Sequence, residues 1–205
     1  MTGGLAGFAR RYPRAWHVAE AEAADCEILY PAATLRRLAG LAADHANRDD
    51  FQRLALGGGK TAVLRQQLMR DERLRPTLAG PFAERPDLWR ETINGHVFFW
   101  LSAARRDRFI SACVRLRDRG TTGTGLAPIV LEIDTALLLA GQGDTAYFSL
   151  FNTGSVVRGG ARVRRDDHSL RSLHGWRGER AVELAIRAPV RLAPPNGCIS
   201  LQKAA

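Results

Sequence analysis

The pattern of apolar and polar positions predicts a helix-leaning first half and a strand-leaning second half. Residues 4 to 12 fit a short helix that ends before Pro13, because a proline ring keeps the residue ahead of it out of helical geometry. "RAWHVA", from Arg14, alternates large apolar and polar side chains and suits a short strand. "AEAEAADCEIL" has a helical composition. Pro31 can open a second helix, with Ala32, Leu35, Leu38 and Leu41 at helical spacing. The polar stretch 44 to 59 reads as a loop and "TAVLRQQ" as a strand, while residues 70 to 80 fit a helix or a loop. "PDLWRETING" has Pro86 at a helix start and Gly95 just past its end. "HVFFWLS" is a continuous apolar run of strand length, as burial on both faces requires. "AARRDRFISACVRLRDRG" is an amphipathic helix with Phe109, Ile110, Cys113 and Leu116 on one face. After the turn "TTGTGLAP" come three more strands, "IVLEID", "TAYFSLF" and "AVELAI", the last two separated by a glycine- and arginine-rich segment, 154 to 180.

This order predicts an α+β fold without the βαβ alternation of a doubly wound sheet. One domain is expected over residues 1–205, with 20–58 as a helical and loop elaboration. At 205 residues and 45% hydrophobic content the chain can bury a full core. No apolar run reaches the roughly 18 residues of a membrane span, and the N-terminus lacks the apolar centre of a signal peptide, so no membrane partner and a cytoplasmic location are expected. Cys26, Cys113 and Cys198 form no metal-spaced pair and no disulfide framework. The histidines, His17, His45, His96, His168 and His174, include no HxxxH pair, so no metal site is expected. The net charge of +9 and pI near 10.6 suit a polyanion partner or an anionic cofactor. Yet of the 30 basic residues all but Lys60 and Lys203 are arginine, a bias that genome base composition also produces.

"FQRLALGGGKTAVLRQQ" invites comparison with a phosphate-binding loop. Gly59, Lys60 and Thr61 match the end of that pattern, but Leu54 stands where its first glycine belongs. A phosphate loop also opens a helix, whose amides hold the phosphates. Here the glycines lead into a β-prone run, so they read as a turn before a strand.

Three polar residues stand inside or at the end of apolar strands: His17, Asn152 and Glu183. A carboxylate within a buried strand is costly unless it is paired or faces a cleft. Alternation also permits Glu183 on a solvent face beside Arg180 or Arg187, and His17 as a half-buried, hydrogen-bonded histidine.

The succession "YPRAWHVAEAEAADCEIL", "TAVLRQQ", "WRETINGHVFFW", "IVLEIDTALLLA", "FSLFNTGS", "AVELAI" resembles an uncharacterised bacterial domain family of unknown function across residues 8 to 190. That family is similar in layout to the DarT-type ADP-ribosyltransferases, toxins that use NAD to modify DNA bases. RNA 2′-phosphotransferases share the wider fold. The resemblance implies an ADP-ribosyltransferase-like fold and transfer of ADP-ribose from NAD to a macromolecule, nucleic acid ahead of protein. It also implies an antitoxin or immunity partner. It makes Glu183 the catalytic carboxylate, and His17, Phe98, Phe99, Trp100 and Asn152 the NAD-binding residues. Arg65 and Gln67 would touch substrate. His17, Arg65, Asn152 and Glu183 would then line one pocket. Apart from the resemblance, the arginines of 155 to 180 beside Trp176 suit single-stranded nucleic acid, with Trp176 stacked on a base, or else form a surface loop solvated or paired with Asp166 and Asp167. The chain departs from the family at Ile28-Leu29-Tyr30-Pro31, where a Gly-Leu-Leu-Ser-like turn is usual. It has Arg65-Gln66-Gln67 in place of Arg-Asp-Gln, and Asn152-Thr153-Gly154 in place of Asn-Ser-Gly. These departures keep open a non-enzymatic binding module on the same fold, and the shared wider fold keeps open an RNA 2′-phosphotransferase-like enzyme.

Overall fold

The computed structural model describes residues 4–20, 27–42, 48–118, 128–156, 163–192 and 199–203. In chain order it forms α1 (Gly4–Arg11), β1 (Arg14–Ala19), β2 (Ile28–Leu29), α2 (Ala32–Leu38), β3 (Gln52–Gly57), β4 (Lys60–Leu64), α3 (Asp71–Leu74), α4 (Pro81–Glu84) and α5 (Pro86–Asn94). There follow β5 (Val97–Trp100), α6 (Ala103–Asp118), β6 (Ile129–Asp134), α7 (Thr135–Gln142), β7 (Ala146–Ser149), β8 (Arg171–Ser172), β9 (Glu183–Ile186), β10 (Val190–Arg191) and β11 (Ile199–Lys203). The fold is mixed α and β. A seven-stranded sheet runs β11-β6-β1-β5-β9-β7-β8, and its strand pairs are antiparallel.

Register fixes what each face carries, because directly opposed residues share a face and successive residues alternate. Ala15, Ala19, Val97, Phe99, Leu131, Phe148, Leu184 and Ile186 form one buried layer with Phe8 of α1, Leu138 and Leu139 of α7, and Trp176. On the other face Trp16 opposes Trp100, Trp100 opposes Glu183, and Glu183 opposes Ser149. Helix α6 covers part of that face, with Phe109 5.5 Å from the Trp100 ring and the Arg106 guanidinium over Trp16. A second apolar cluster, including Met69, Leu74, Trp89 and Ile93, covers another part and packs against Phe98. Helices therefore lie on both sides of the sheet.

Three local expectations change. Residues 52–57, inside the stretch expected as a loop, are strand β3. Its partner is β4 rather than the main sheet, so it lacks the apolar run of a core strand. Ile28–Leu29, expected as the end of a helix, pairs with Val190–Arg191, a distant partner that overrides local propensity. Ala19, the first residue of that expected helix, ends β1 instead, and residues 21–26 of it lie outside the described residues, as do Cys26, His45 and Cys198. Helix α7, which no expectation covered, starts at Asp134, whose side chain accepts from the Ala136 and Leu137 amides.

The glycine tract is the turn of the β3–β4 hairpin. Gly57, Gly58 and Gly59 have φ of +81°, +58° and +75°, a region where a Cβ crowds its own carbonyl. A Cβ on Gly58 meets nothing within 4 Å, so the strain is local to the backbone. Gly58→Ala should therefore cost about 1–2 kcal/mol, and Gly58→Asn less, in urea unfolding. Equal stability in all three proteins would refute the turn geometry.

Candidate functional site

Glu183 begins β9, in the middle of the sheet between β5 and β7, and its side chain is 4% exposed. Both hydrogen bonds to it arrive at Oε2. The Thr153 amide donates at 3.0 Å and the Thr153 hydroxyl at 2.9 Å. Among the described residues none reaches Oε1. Burial pushes the Glu183 carboxyl up to about 7, against the two Thr153 donors and the positive charges of Arg105 and Arg165, which favour ionisation. Arg105 comes from the first turn of α6. Arg165 is fully buried: it donates to the carbonyls of Val163 and Ser155, and its guanidinium lies 5.4 Å from the Phe151 ring centre. The result is a desolvated carboxylate with one oxygen saturated, a neighbouring aromatic in Trp100, and two cations near. Such a group can stabilise developing positive charge or accept a proton.

His17 does not join it. In the continuous β1–β6 register His17 opposes Leu131, while Trp16 occupies the Glu183 face. The His17 ring lies 5.6 Å from Phe99, and its Nδ1–H donates to the Phe98 carbonyl at 2.8 Å. Burial, and the Arg65 charge behind it, hold its pKa below the usual histidine range, although the Phe98 bond opposes them. The expected single pocket thus divides, with His17 and Phe99 on one face and Phe98, Trp100 and Glu183 on the other. Phe99, 1% exposed, fills the core and offers no face to a ligand.

Arg65 follows β4 and reaches toward the α6 side. Its Nη2 is 3.2 Å from Glu20 Oε1 and 2.9 Å from Cys113 Sγ, and its Nη1 donates to the Val18 carbonyl at 3.4 Å. Phe109 and Phe51 flank it at 5.1 and 5.8 Å. A guanidinium engaged in this way ties the hairpin to β1 and α6, and these contacts are with Glu20, Cys113 and the Val18 carbonyl, not with Glu183. Burial raises the Cys113 thiol pKa, so it is a poor nucleophile. Gln67 holds the hairpin base: its side chain donates to Asn94 Oδ1, and its backbone bridges Arg48. Asn152 Oδ1 accepts from the Gly154 amide at 3.1 Å, a turn contact.

Trp176 is corrected outright. It is 4% exposed, packs edge-on against Phe8 at 5.3 Å, and donates its indole N–H to the Glu179 carbonyl. The 3₁₀ turn Leu173–Gly175 folds this part of the arginine-rich segment into the core, so no base can stack there. Trp176→Ala should cost about 3–5 kcal/mol of stability, measured by denaturant unfolding. A loss below about 1 kcal/mol would contradict the packing. Arg164, Arg171, Arg177 and Arg180 remain exposed, whereas Arg158 and Arg162 lie outside the described residues.

Two residues central to the site carried no distinguishing signal in the sequence. Thr153 is one of several threonines near turns, and Arg165 is one of seven arginines between 155 and 180. No group of histidine, cysteine and acidic residues suited to a metal occurs among the described residues, and no described helix is long and apolar enough to cross a membrane.

A model of the family of unknown function DUF7002 matches residues 13–191, and the chain belongs to that family. Neither curated proteins nor solved structures yielded a match.

Proposed function

We propose that this DUF7002 member binds NAD against the Glu183 face of the sheet and transfers its ADP-ribose to a nucleic-acid acceptor, on an ADP-ribosyltransferase-like fold of the DarT type. The observation that carries this reading is the state of Glu183: buried, with Oε2 saturated by Thr153 and Oε1 without a donor among the described residues. In this reading Oε1 accepts a ribose hydroxyl, and the carboxylate stabilises positive charge as the bond from ribose C1′ to nicotinamide nitrogen breaks. The bonding pair leaves with nicotinamide. The acceptor nucleophile then bonds to C1′ and gives up its proton to solvent water. Trp100 and Phe98, half-buried on the same face, offer aromatic surface, and Arg105 offers a cation for phosphate. His17, Phe99 and Asn152 support the sheet and turn rather than touch the ligand. The exposed arginines Arg164, Arg171, Arg177 and Arg180 suit a nucleic-acid backbone.

The rival is a binding module that retains the fold without chemistry. The separation of His17 from Glu183 favours it. The RNA 2′-phosphotransferase reading asks arginines and histidines to converge on a phosphate, whereas Arg65 is committed to Glu20, Cys113 and Val18. Calorimetry with NAD separates the first two, since no binding at millimolar NAD favours the module.

If Glu183 works as an anion, nicotinamide release should rise with pH through a midpoint near its value of about 7 and level off above it. A profile that falls across that range would contradict an ionised Glu183.

A further inference from the structure

We propose that the turn at 152–155 is a positioning device that fixes which Glu183 oxygen is presented to substrate, with Asn152 and Arg165 holding its two ends. The proposal rests on Glu183 as the reacting carboxylate. The chain of contacts is continuous. Asn152 Oδ1 accepts the Gly154 amide at 3.1 Å, and the Ser155 amide donates to the Asn152 carbonyl at 3.4 Å. Side-chain acceptance two residues on is how asparagine sets a turn. Closed in this way, the turn aims both the amide and the hydroxyl of Thr153 at Oε2. At the far end the Ser155 carbonyl accepts from Arg165 Nη2 at 2.5 Å, and Arg165 is held between Phe151 and Trp89. Thr153 and Arg165 are 1% and 0% exposed, so water has little access to replace either contact.

A turn held at both ends leaves Glu183 little freedom to exchange its oxygens. Oε2 stays occupied, and Oε1 is the oxygen left without a donor among the described residues. Among the described residues the groups facing the carboxyl are Thr153 from the turn, Arg105 from α6, Arg165 from the segment after 163, and Trp100 and Ser149 from the neighbouring strands. Of these only the arginines carry charge. Loosening the turn withdraws donors that favour the ionised form, so the carboxyl should hold its proton to higher pH.

The test is a titration of the Glu183 carboxyl carbon by NMR in ¹³C-glutamate-labelled protein, without NAD. Asn152→Ala should raise the midpoint by about one pH unit. Asn152→Ser, whose hydroxyl can accept from the same amide, should return it most of the way. Thr153→Ala, which leaves the turn intact but removes one donor, should also raise it, and it decides the matter if Asn152→Ala does not fold. A midpoint unmoved in Thr153→Ala, or moved equally by Asn152→Ala and Asn152→Ser, overturns the proposal. Because NAD is absent, that result speaks against the turn, whereas a failure to bind NAD speaks against the proposed activity alone.

Discussion

Replacing Glu183 with glutamine should make the protein more stable at pH 8 and change it little at pH 4. The folded carboxyl has its pKa raised from an ordinary 4.5 to about 7. Between those values the native state holds a proton that the unfolded chain has released, so stability falls as pH rises across the window. Each unit is worth about 1.4 kcal/mol, so ionising Glu183 in place costs about 3 kcal/mol above pH 7. Glutamine is neutral throughout, and its carbonyl oxygen can still accept from Thr153. The stability difference between variant and wild type should therefore grow by about 3 kcal/mol between pH 4 and pH 8, or roughly 6–12 °C in midpoint for a chain of this size. His17 and His96, whose values are lowered chiefly by burial, tilt the wild-type profile the opposite way at acid pH. They do so in both proteins, and the difference cancels them. A difference that is flat with pH would mean Glu183 ionises as easily as in water.

Arg165→Ala should be among the most damaging single changes, costing about 3–5 kcal/mol through a cavity and orphaned carbonyls. Its backbone amide donates to the Thr77 carbonyl and its own carbonyl accepts from Ala79, so the residue sits on a fixed frame. Truncation leaves a cavity against Trp89 and Phe151. It also leaves the Ser155 and Val163 carbonyls without this donor, and Glu183 without a nearby cation. Arg165→Met keeps most of the volume and isolates the polar part, so it should cost less than alanine. Urea unfolding at pH 7 measures both. A cost below about 1 kcal/mol for alanine would mean the guanidinium is not held as described.

What was legible in the sequence follows from how each element is stabilised. β1 was announced by alternation, β5, β6, β7 and β9 by short apolar runs, α6 by an apolar face, and α1 and α5 by proline or glycine at their ends. β3 pairs only with β4 and buries only Leu54 along its length, so "QRLALG" carries no core pattern. The strand-to-helix switch after β6 was signalled by Asp134 as a cap, but the unbroken apolar run of "TALLLA" masked it. Glu183 drew notice because a carboxylate in an apolar strand needs a reason, and the structure buries it. The side to which His17 points was not legible, since a face is assigned only once register is known, and Trp16 opposite Trp100 decides it. Trp176 among arginines looked like a stacking platform. Its burial depends on α1, 165 or more residues earlier in the chain, which local composition does not record.

The central claim is that Glu183 acts on NAD, and its most direct measurement is nicotinamide release by wild type and Glu183→Gln at pH 8 under saturating NAD, with binding to each followed by calorimetry. Binding should stay within a few-fold while release by the variant drops by about 100- to 1000-fold. Release that is equal in the two proteins, or absent from both while NAD is bound, would contradict it.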